Sequence, residues 1–297
     1  MAQLKEIRDR INSIEGTQKI TGAMYMIAST KLRHARKSRD DNAVYFSTLK
    51  NIMERLLRHL PESEHPYLRV SDKPRDTQTH GYLMITADKG LAGAYNQNIL
   101  KETEKQMRSD GGKARIFVVG ETGRRYFRNH NVNIDEEFVY SSENPTHHLG
   151  RMITSYILPL FQDKEIDDLH IIYTGMKSAM EAEVRIRQLL PLKSAIEEEL
   201  GKKIPKDIYN EEFIFSPSPG EVIDAVVPNF MNGYIYSTLI ESYCAEQNSR
   251  MLAMQTASDA ASSMIKDLGV QYNRARQGVI TQEITEVSAG AEANGGY

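Results

Sequence analysis

The residues best suited to chemistry or recognition lie in four stretches. QYNRARQGVITQEITEV, residues 271–287, interleaves Arg274, Arg276, Gln277, Thr281, Gln282, Glu283 and Glu286 with Val279, Ile280 and Ile284. A helix of that composition calls for both a hydrophobic sleeve and hydrogen-bond partners. KLRHARKSR, residues 31–39, sets Lys31, Arg33, Arg36, Lys37 and Arg39 around one stretch of helix. No aromatic residue interleaves there, so a docking surface for acidic loops fits better than a nucleic-acid site.

DKGLAGAYN follows a strand pattern and precedes a helix pattern, the place where phosphate-binding loops sit. It lacks both G-x-G-x-x-G and G-x-x-x-x-G-K-[ST], so a tight strand-to-helix turn is the better reading. His147 and His148 are adjacent and point apart, without a partner at metal-ligand spacing; they suit a surface or capping role. Cys244 is the single cysteine, which excludes an intrachain disulfide and a cysteine zinc site. No G-x-S-x-G and no carboxylate pair in an acid–base context stands out, so neither a catalytic constellation nor a cofactor site is expected.

The elements that must position these residues are long helices at the two ends. Residues 1–60 and 229–297 contain no proline. In the first, a seam at 4, 7, 11, 14, 18, 21, 25, 28, 32, 35, 39, 42, 46, 49, 53, 56 and 60 is apolar except at Gln18, Thr21, Arg39 and Asn42. The alternating 3-4 spacing is that of a left-handed coiled coil. A helix of that length would span roughly 90 Å before Pro61 stops it. Ile20, Met24 and Ile27 form a second stripe, which one partner helix cannot also cover. It packs either on another part of this chain or on another subunit.

After Pro228 a second seam runs through Ile240, Tyr243, Gln247, Arg250, Met254, Ala257, Ala261, Met264 and Leu268. The economical arrangement is an antiparallel hairpin of the two ends. Glycines at 16, 22, 233, 269 and 278 each cost about 1 kcal/mol relative to alanine inside a helix. For Gly269 and Gly278 the favoured reason is close approach of a neighbour's backbone.

Between the ends, GYLMITA, ARIFVVG, IDEEFVY, LHIIYTGMK and EVRIRQLLPL read as strands. NQNILKETEKQMRSD, ETGRRYFRNH and HHLGRMITSYILPLFQD read as helices, and residues 196–228 as loop with one short strand. This alternation predicts an inserted, Rossmann-like α/β domain with a mainly parallel sheet. The expected division is a helix over 1–60, the α/β domain with flanking loops over 61–228, a helix over 229–287 and a flexible tail over 288–297. Residues 1–60 hold 12 Lys+Arg against 6 Asp+Glu, while the chain as a whole carries −3. The basic excess belongs to one helix and implies an acidic partner for it. Without an apolar signal core or an 18-residue apolar run, the chain is read as neither secreted nor membrane-spanning.

Three separated motifs resemble one family. RINSIEGTQKITGAMYMIASTKLRHA, ITADKGLAGAYN and YNRARQGVITQEITEVSAGAEA are similar to the N-terminal helix, first strand and loop, and C-terminal signature of the gamma subunits of rotary ATP synthases. Residues 125–225 are less distinctive. The resemblance implies a coiled-coil shaft inside a head of alternating alpha and beta subunits. It also implies an inserted domain beside the epsilon subunit and the membrane rotor ring of c subunits, and ATP chemistry carried out on beta. Membrane contact would come only through partners, at the cytoplasmic face of a bacterial cell membrane. By position, the resemblance assigns Met24 to a beta-subunit lever and Lys31, Arg33 and Arg36 to acidic lever loops. It assigns Arg274, Arg276, Gln277, Thr281, Gln282, Glu283 and Glu286 to the head near the top of the shaft. Ala92 departs from the family, where many members carry Cys. The single cysteine excludes the plastid branch's dithiol insertion, and the start at the family's N-terminus implies a bacterial protein without a transit peptide. The alternatives are an α/β nucleotide-binding enzyme with a coiled-coil oligomerisation arm, and a coiled-coil nucleic-acid binder using residues 31–39.

Overall fold

The computed structural model describes residues 2–59, 65–178, 181–200 and 214–294, with the side chains of 2–3, 198–200 and 291–294 left aside. Helix α1 covers Ala2–His59 and helix α6 covers Pro219–Asn294. Between them lie β1 (Thr79–Ile85), α2 (Tyr95–Asp110), β2 (Lys113–Val119), α3 (Glu121–Asn129), α4 (His147–Gln162), β3 (Asp168–Met176), β4 (Ala182–Leu190) and α5 (Leu192–Leu200). The chain divides into two compact units. One joins residues 1–28 to 250–297, and the other is 29–249.

The sheet of the larger unit has strand order β2-β1-β3-β4, parallel except for antiparallel β4. Its strands are covered on both sides, as parallel pairing requires. On one face Leu83, Ile85, Phe117, Val119, Ile171 and Tyr173 meet α4 and the lower parts of α1 and α6. On the other, Tyr82, Met84, Ile116, Val118 and Ile172 meet α2, α3 and Ala245. The expected strand IDEEFVY does not form. The Asp135 carboxylate accepts from the backbone N–H of Phe138 (3.2 Å), from Tyr156 Oη (2.7 Å) and from Arg115. That local turn breaks the extended run, leaving one bridge between Val119 and Tyr140.

Three further expectations are corrected. The C-terminal helix begins at Pro219, not after Pro228, and α5 lies in a stretch read as loop. An interior proline removes a helix hydrogen bond at a cost of about 3 kcal/mol. Here the turns around it bury Ile223, Val227, Phe230 and Met231 in the core, which offsets that cost. The sequence did carry a start signal, Ser218-Pro219-Gly220-Glu221. The Ser218 hydroxyl accepts from the Glu221 N–H (3.3 Å) and donates to its carboxylate (3.1 Å), a capping box with proline at the first helical position. The helix also continues through 288–294, where a flexible tail was expected. Residues 61–64 and 201–213, read as loop, lie outside the described residues.

The α1 seam stands: every seam position from Leu4 to Leu56 is buried or half-buried. In the larger unit α1 and α6 run antiparallel. Phe46 packs on Phe230 and Tyr234, and further back along α1, Arg39 and Arg36 act on Glu241 and Cys244. In the smaller unit the polar seam residue Gln18 donates to Ser262 Oγ (2.7 Å). On α6 the seam is corrected beyond Met254. Ala257 and Met264 are exposed, and Ser258, Ala261, Ile265 and Leu268 take the covered positions. Both phases keep the 3-4 alternation, and Ile265 supplies the better-placed apolar side chain.

Two outcomes follow. Ile265→Ala should destabilise the chain by about 1–2 kcal/mol, less than a full core truncation, and Met264→Ala by less than about 0.5 kcal/mol. Thermal unfolding followed by circular dichroism separates them, and the order reverses if the sequence-derived seam is right. The second concerns Asp167, whose side chain is fully buried. Burial alone would raise its carboxyl, but the Thr79 N–H, Lys73 and Ser71 outweigh that and hold it below 3.8. A depressed carboxyl stabilises above its unfolded value and loses that contribution as pH falls through the folded one. Asp167→Asn should therefore lower stability at pH 7 by about 1–3 kcal/mol and flatten its decline below pH 3.8. An unchanged acid limb would contradict it.

Candidate functional site

The end of α6 is a helix with little to cover it. From 281 to 290 every described side chain is exposed, including Ile284 (61%) and Val287 (73%), and Ile280 just before them is 45% exposed. Arg274, Arg276, Gln277, Thr281, Gln282, Glu283 and Glu286 are all exposed with them. The side-chain bonds there run along the helix. Gln282 Nε2 donates to Glu286 Oε1 (2.9 Å) and Thr281 Oγ1 to the Gln277 carbonyl (2.9 Å). Exposed valine and isoleucine side chains clustered on one helix end are the marks of an interface. In the same unit Met24 is half-buried, and its stripe neighbours Ile20 (63%) and Ile27 (58%) are exposed.

The basic residues of α1 fall in the larger unit. Lys31 and Arg36 are half-buried and Arg33 is exposed. Lys31 acts on Glu143, whose carboxyl is held below its usual value first by Lys89 and then by Lys31. His147 and His148 are exposed at the start of α4, in keeping with the expected surface role. His147 packs on the Tyr236 ring at 3.7 Å between centroids, and burial followed by Arg151 pushes its imidazole toward neutrality. Cys244 is fully buried and its thiol is pushed up to about 11 by burial, against the pull of Arg39 and Arg36. It stays a thiol near neutral pH.

The loop after β1 is filled from within. Asp88 Oδ1 accepts from the N–H of Glu121, the first residue of α3 (3.0 Å). Its Oδ2 accepts from the Ser141 hydroxyl (2.6 Å) and from the N–H groups of Ser142 (2.9 Å) and Glu143 (3.1 Å). Asp88 thus ties the loop to the start of α3 and to residues 141–143. Leu91 adopts φ 61° at the loop's crest, with its side chain 64% exposed.

The domain grips α6 through residues that sequence reasoning missed. From Ser242 to Asn248 every α6 side chain is buried, Glu246, Gln247 and Asn248 included. Tyr95 Oη and Ser242 Oγ share a buried hydrogen bond of 2.7 Å. On β4, Arg185 donates to Glu241 Oε1 (2.7 Å), to Glu183 (3.0 Å) and to the Met176 carbonyl (3.2 Å). Burial raises the Glu241 carboxyl, against the opposing pull of Arg185 and Arg39. No motif marks Arg185 or Glu241. A near signal is Gly175 near the end of β3, where an added Cβ would lie 2.6 Å from Arg185 Nη1 and 2.7 Å from Glu241 Oε1.

The sequence profile of the ATP synthase family matches residues 3–293. An ATP synthase gamma chain of Acetivibrio thermocellus is 38% identical over 298 residues, covering 99% of each chain. That of Ruminiclostridium cellulolyticum is 37% identical over 291 residues, covering 98% of each. The chain belongs to the ATP synthase gamma chain family. Solved structures extend the likeness in fold. A chain of the Euglena gracilis mitochondrial ATP synthase aligns with a TM-score of 0.64 at 13% identity, over 98% of this chain and 94% of that one. A chain of the Tetrahymena thermophila mitochondrial central stalk and ring aligns at 0.59 and 20% identity, over 80% and 99%.

Within this family member, the glycines of the two units differ in use. In the larger unit Gly123, Gly150 and Gly233 sit where a Cβ would meet neighbours at 2.8, 2.7 and 3.0 Å. In the smaller unit nothing lies within 4 Å of a Cβ at Gly16, Gly22, Gly269 or Gly278. The expected close approach at Gly269 and Gly278 is thus not made by this chain. Gly269→Ala and Gly278→Ala should each stabilise the isolated chain by about 1 kcal/mol through helix propensity. A fall in melting temperature for either would show a backbone requirement there.

Proposed function

We propose that the chain is the central-stalk rotor subunit of an F-type ATP synthase. The carrying observation is the uncovered α6 end, where Ile280, Ile284 and Val287 stand exposed among Arg276, Gln277, Thr281 and Glu283. The alpha and beta subunits of the head supply the hydrophobic sleeve and the polar partners for that end. Met24 meets a beta lever from the exposed stripe of α1. Lys31, Arg33 and Arg36 attract acidic lever loops. Exposed ion pairs of that kind are worth about 0–1 kcal/mol, enough to bias an orientation without locking it. The α/β domain meets the epsilon subunit and the c-ring, so ion flow that turns the ring turns this chain. ATP is made on beta, and the chain carries no catalytic site of its own.

The domain's own loop supports that division of labour. The loop lacks both G-x-G-x-x-G and G-x-x-x-x-G-K-[ST], which disfavours the nucleotide-binding alternative. Among the described residues no helix is long and apolar enough to cross a membrane. On the rotor reading, the chain meets the cytoplasmic face of a bacterial membrane through its partners.

Co-expression with cognate alpha and beta subunits should yield one complex by intact-mass measurement, while the chain alone hydrolyses no ATP. Deleting residues 277–297 should weaken the coupling of hydrolysis to ion pumping and leave the α/β domain folded by hydrogen exchange. A chain that stays monomeric in the mixture contradicts the reading, and so does a truncation that unfolds the domain.

A further inference from the structure

The grip of the α/β domain on α6 is distributed around the helix. Gly150 of α4 lies against Asn232, where a Cβ would come within 2.7 Å of Oδ1 and 3.1 Å of the main-chain carbonyl. Arg185 of β4 holds Glu241 at 2.7 Å, and Tyr95 of α2 holds Ser242 at 2.7 Å. At 3.6 residues per turn, Glu241 stands on the side of α6 opposite Asn232, and Ser242 about 100° further round. Three separate elements therefore touch three sides of one helix. Contacts along a single side leave a helix free to roll. Contacts spread around its axis oppose rotation in either sense.

The chemistry at each point suits a joint that must not slip. The Arg185 guanidinium is a planar fork whose remaining N–H groups are fixed by Glu183 and the Met176 carbonyl, so its bond to Glu241 has a defined direction. Gly175 clears the space in which guanidinium and carboxylate meet. The Tyr95–Ser242 bond is buried, where water does not compete for it. At Gly150 the absence of a side chain on α4 lets Asn232 of α6 approach closely, through both its Oδ1 and its main-chain carbonyl.

We infer that Arg185, Glu241, Tyr95, Ser242 and Gly150 form the torsional joint through which turning of the α/β domain is delivered to α6. They act as positioning residues, away from the ATP chemistry. The inference rests on the rotor reading and adds the place where rotation passes from domain to helix.

The test uses the complete complex with alpha and beta subunits, held by the head and carrying a bead on the α/β domain. Angular fluctuations are recorded in the stalled state. Arg185→Gln with Tyr95→Phe should at least double the variance of the bead angle relative to wild type. Arg185→Lys, which keeps a cation and N–H donors beside Glu241, should retain more of the stiffness than Arg185→Gln, a ranking that a general loss of folding would not give. If Arg185→Gln prevents folding, Tyr95→Phe with Ser242→Ala removes the buried bond alone and should still widen the distribution. A variance equal to wild type in the folded variants overturns the joint while leaving the rotor reading intact. A wild-type complex whose bead does not rotate on adding ATP overturns both.

Discussion

Between Ser242 and Asn248 the long C-terminal helix is buried on every side, and that enclosure constrains the remaining architecture. A helix in such a place must satisfy its polar groups inside the protein. Ser242 does so through Tyr95, and Gln247 donates to Glu246 at 3.0 Å. The sheet can then lie on α6 only where its own residues are small or correctly charged. Gly175 and Arg185 meet Glu241, while Ala245 enters the core beside Tyr82 and Ile172. One face of the sheet packs against α2 and α3 and the other against α4 and α1, and α6 contributes to both cores as it passes the domain.

The two units solve different physical problems. The larger one is rich in fully buried aromatic and branched residues, and its helix glycines at 123, 150 and 233 each admit a neighbour. In the smaller one few of the described residues are buried, among them Thr21, Ala28, Met254 and Ala261. Its interior glycines meet nothing, and apolar side chains such as Ile20, Ile27 and Ile284 face outward. A pair of helices with so thin a seam draws little stability from packing. Such a unit suits a segment that completes its burial against other subunits.

Periodicity made the helices legible, because a 3-4 seam sustained over more than fifty residues has few other readings. The strands β1 to β4 were legible from apolar runs between turn residues. What failed was local. IDEEFVY had strand composition, but one Asp135 side chain supplied competing hydrogen bonds. Pro228 read as a helix start, although burial of Val227 and Phe230 carries the helix through it and the capping box at Ser218 lies ten residues earlier. The α6 seam slipped to Ala257 and Met264 because two phases fit the same residues until a partner helix selects one. Of the candidate residues, the exposed polar set at 274–286 was recognisable by type. Arg185 and Glu241 were not, since their meeting depends on a sheet register that no local pattern encodes.

The central claim is that this chain turns as a unit within a larger machine. Its most direct measurement is rotation itself. A complex of this chain with its alpha and beta partners is fixed by the head, and a bead on the α/β domain is watched as ATP is added. The account predicts stepwise rotation in one direction, with dwell times that lengthen as ATP is diluted. Hydrolysis by the intact complex with a bead that only fluctuates about a fixed angle would contradict it.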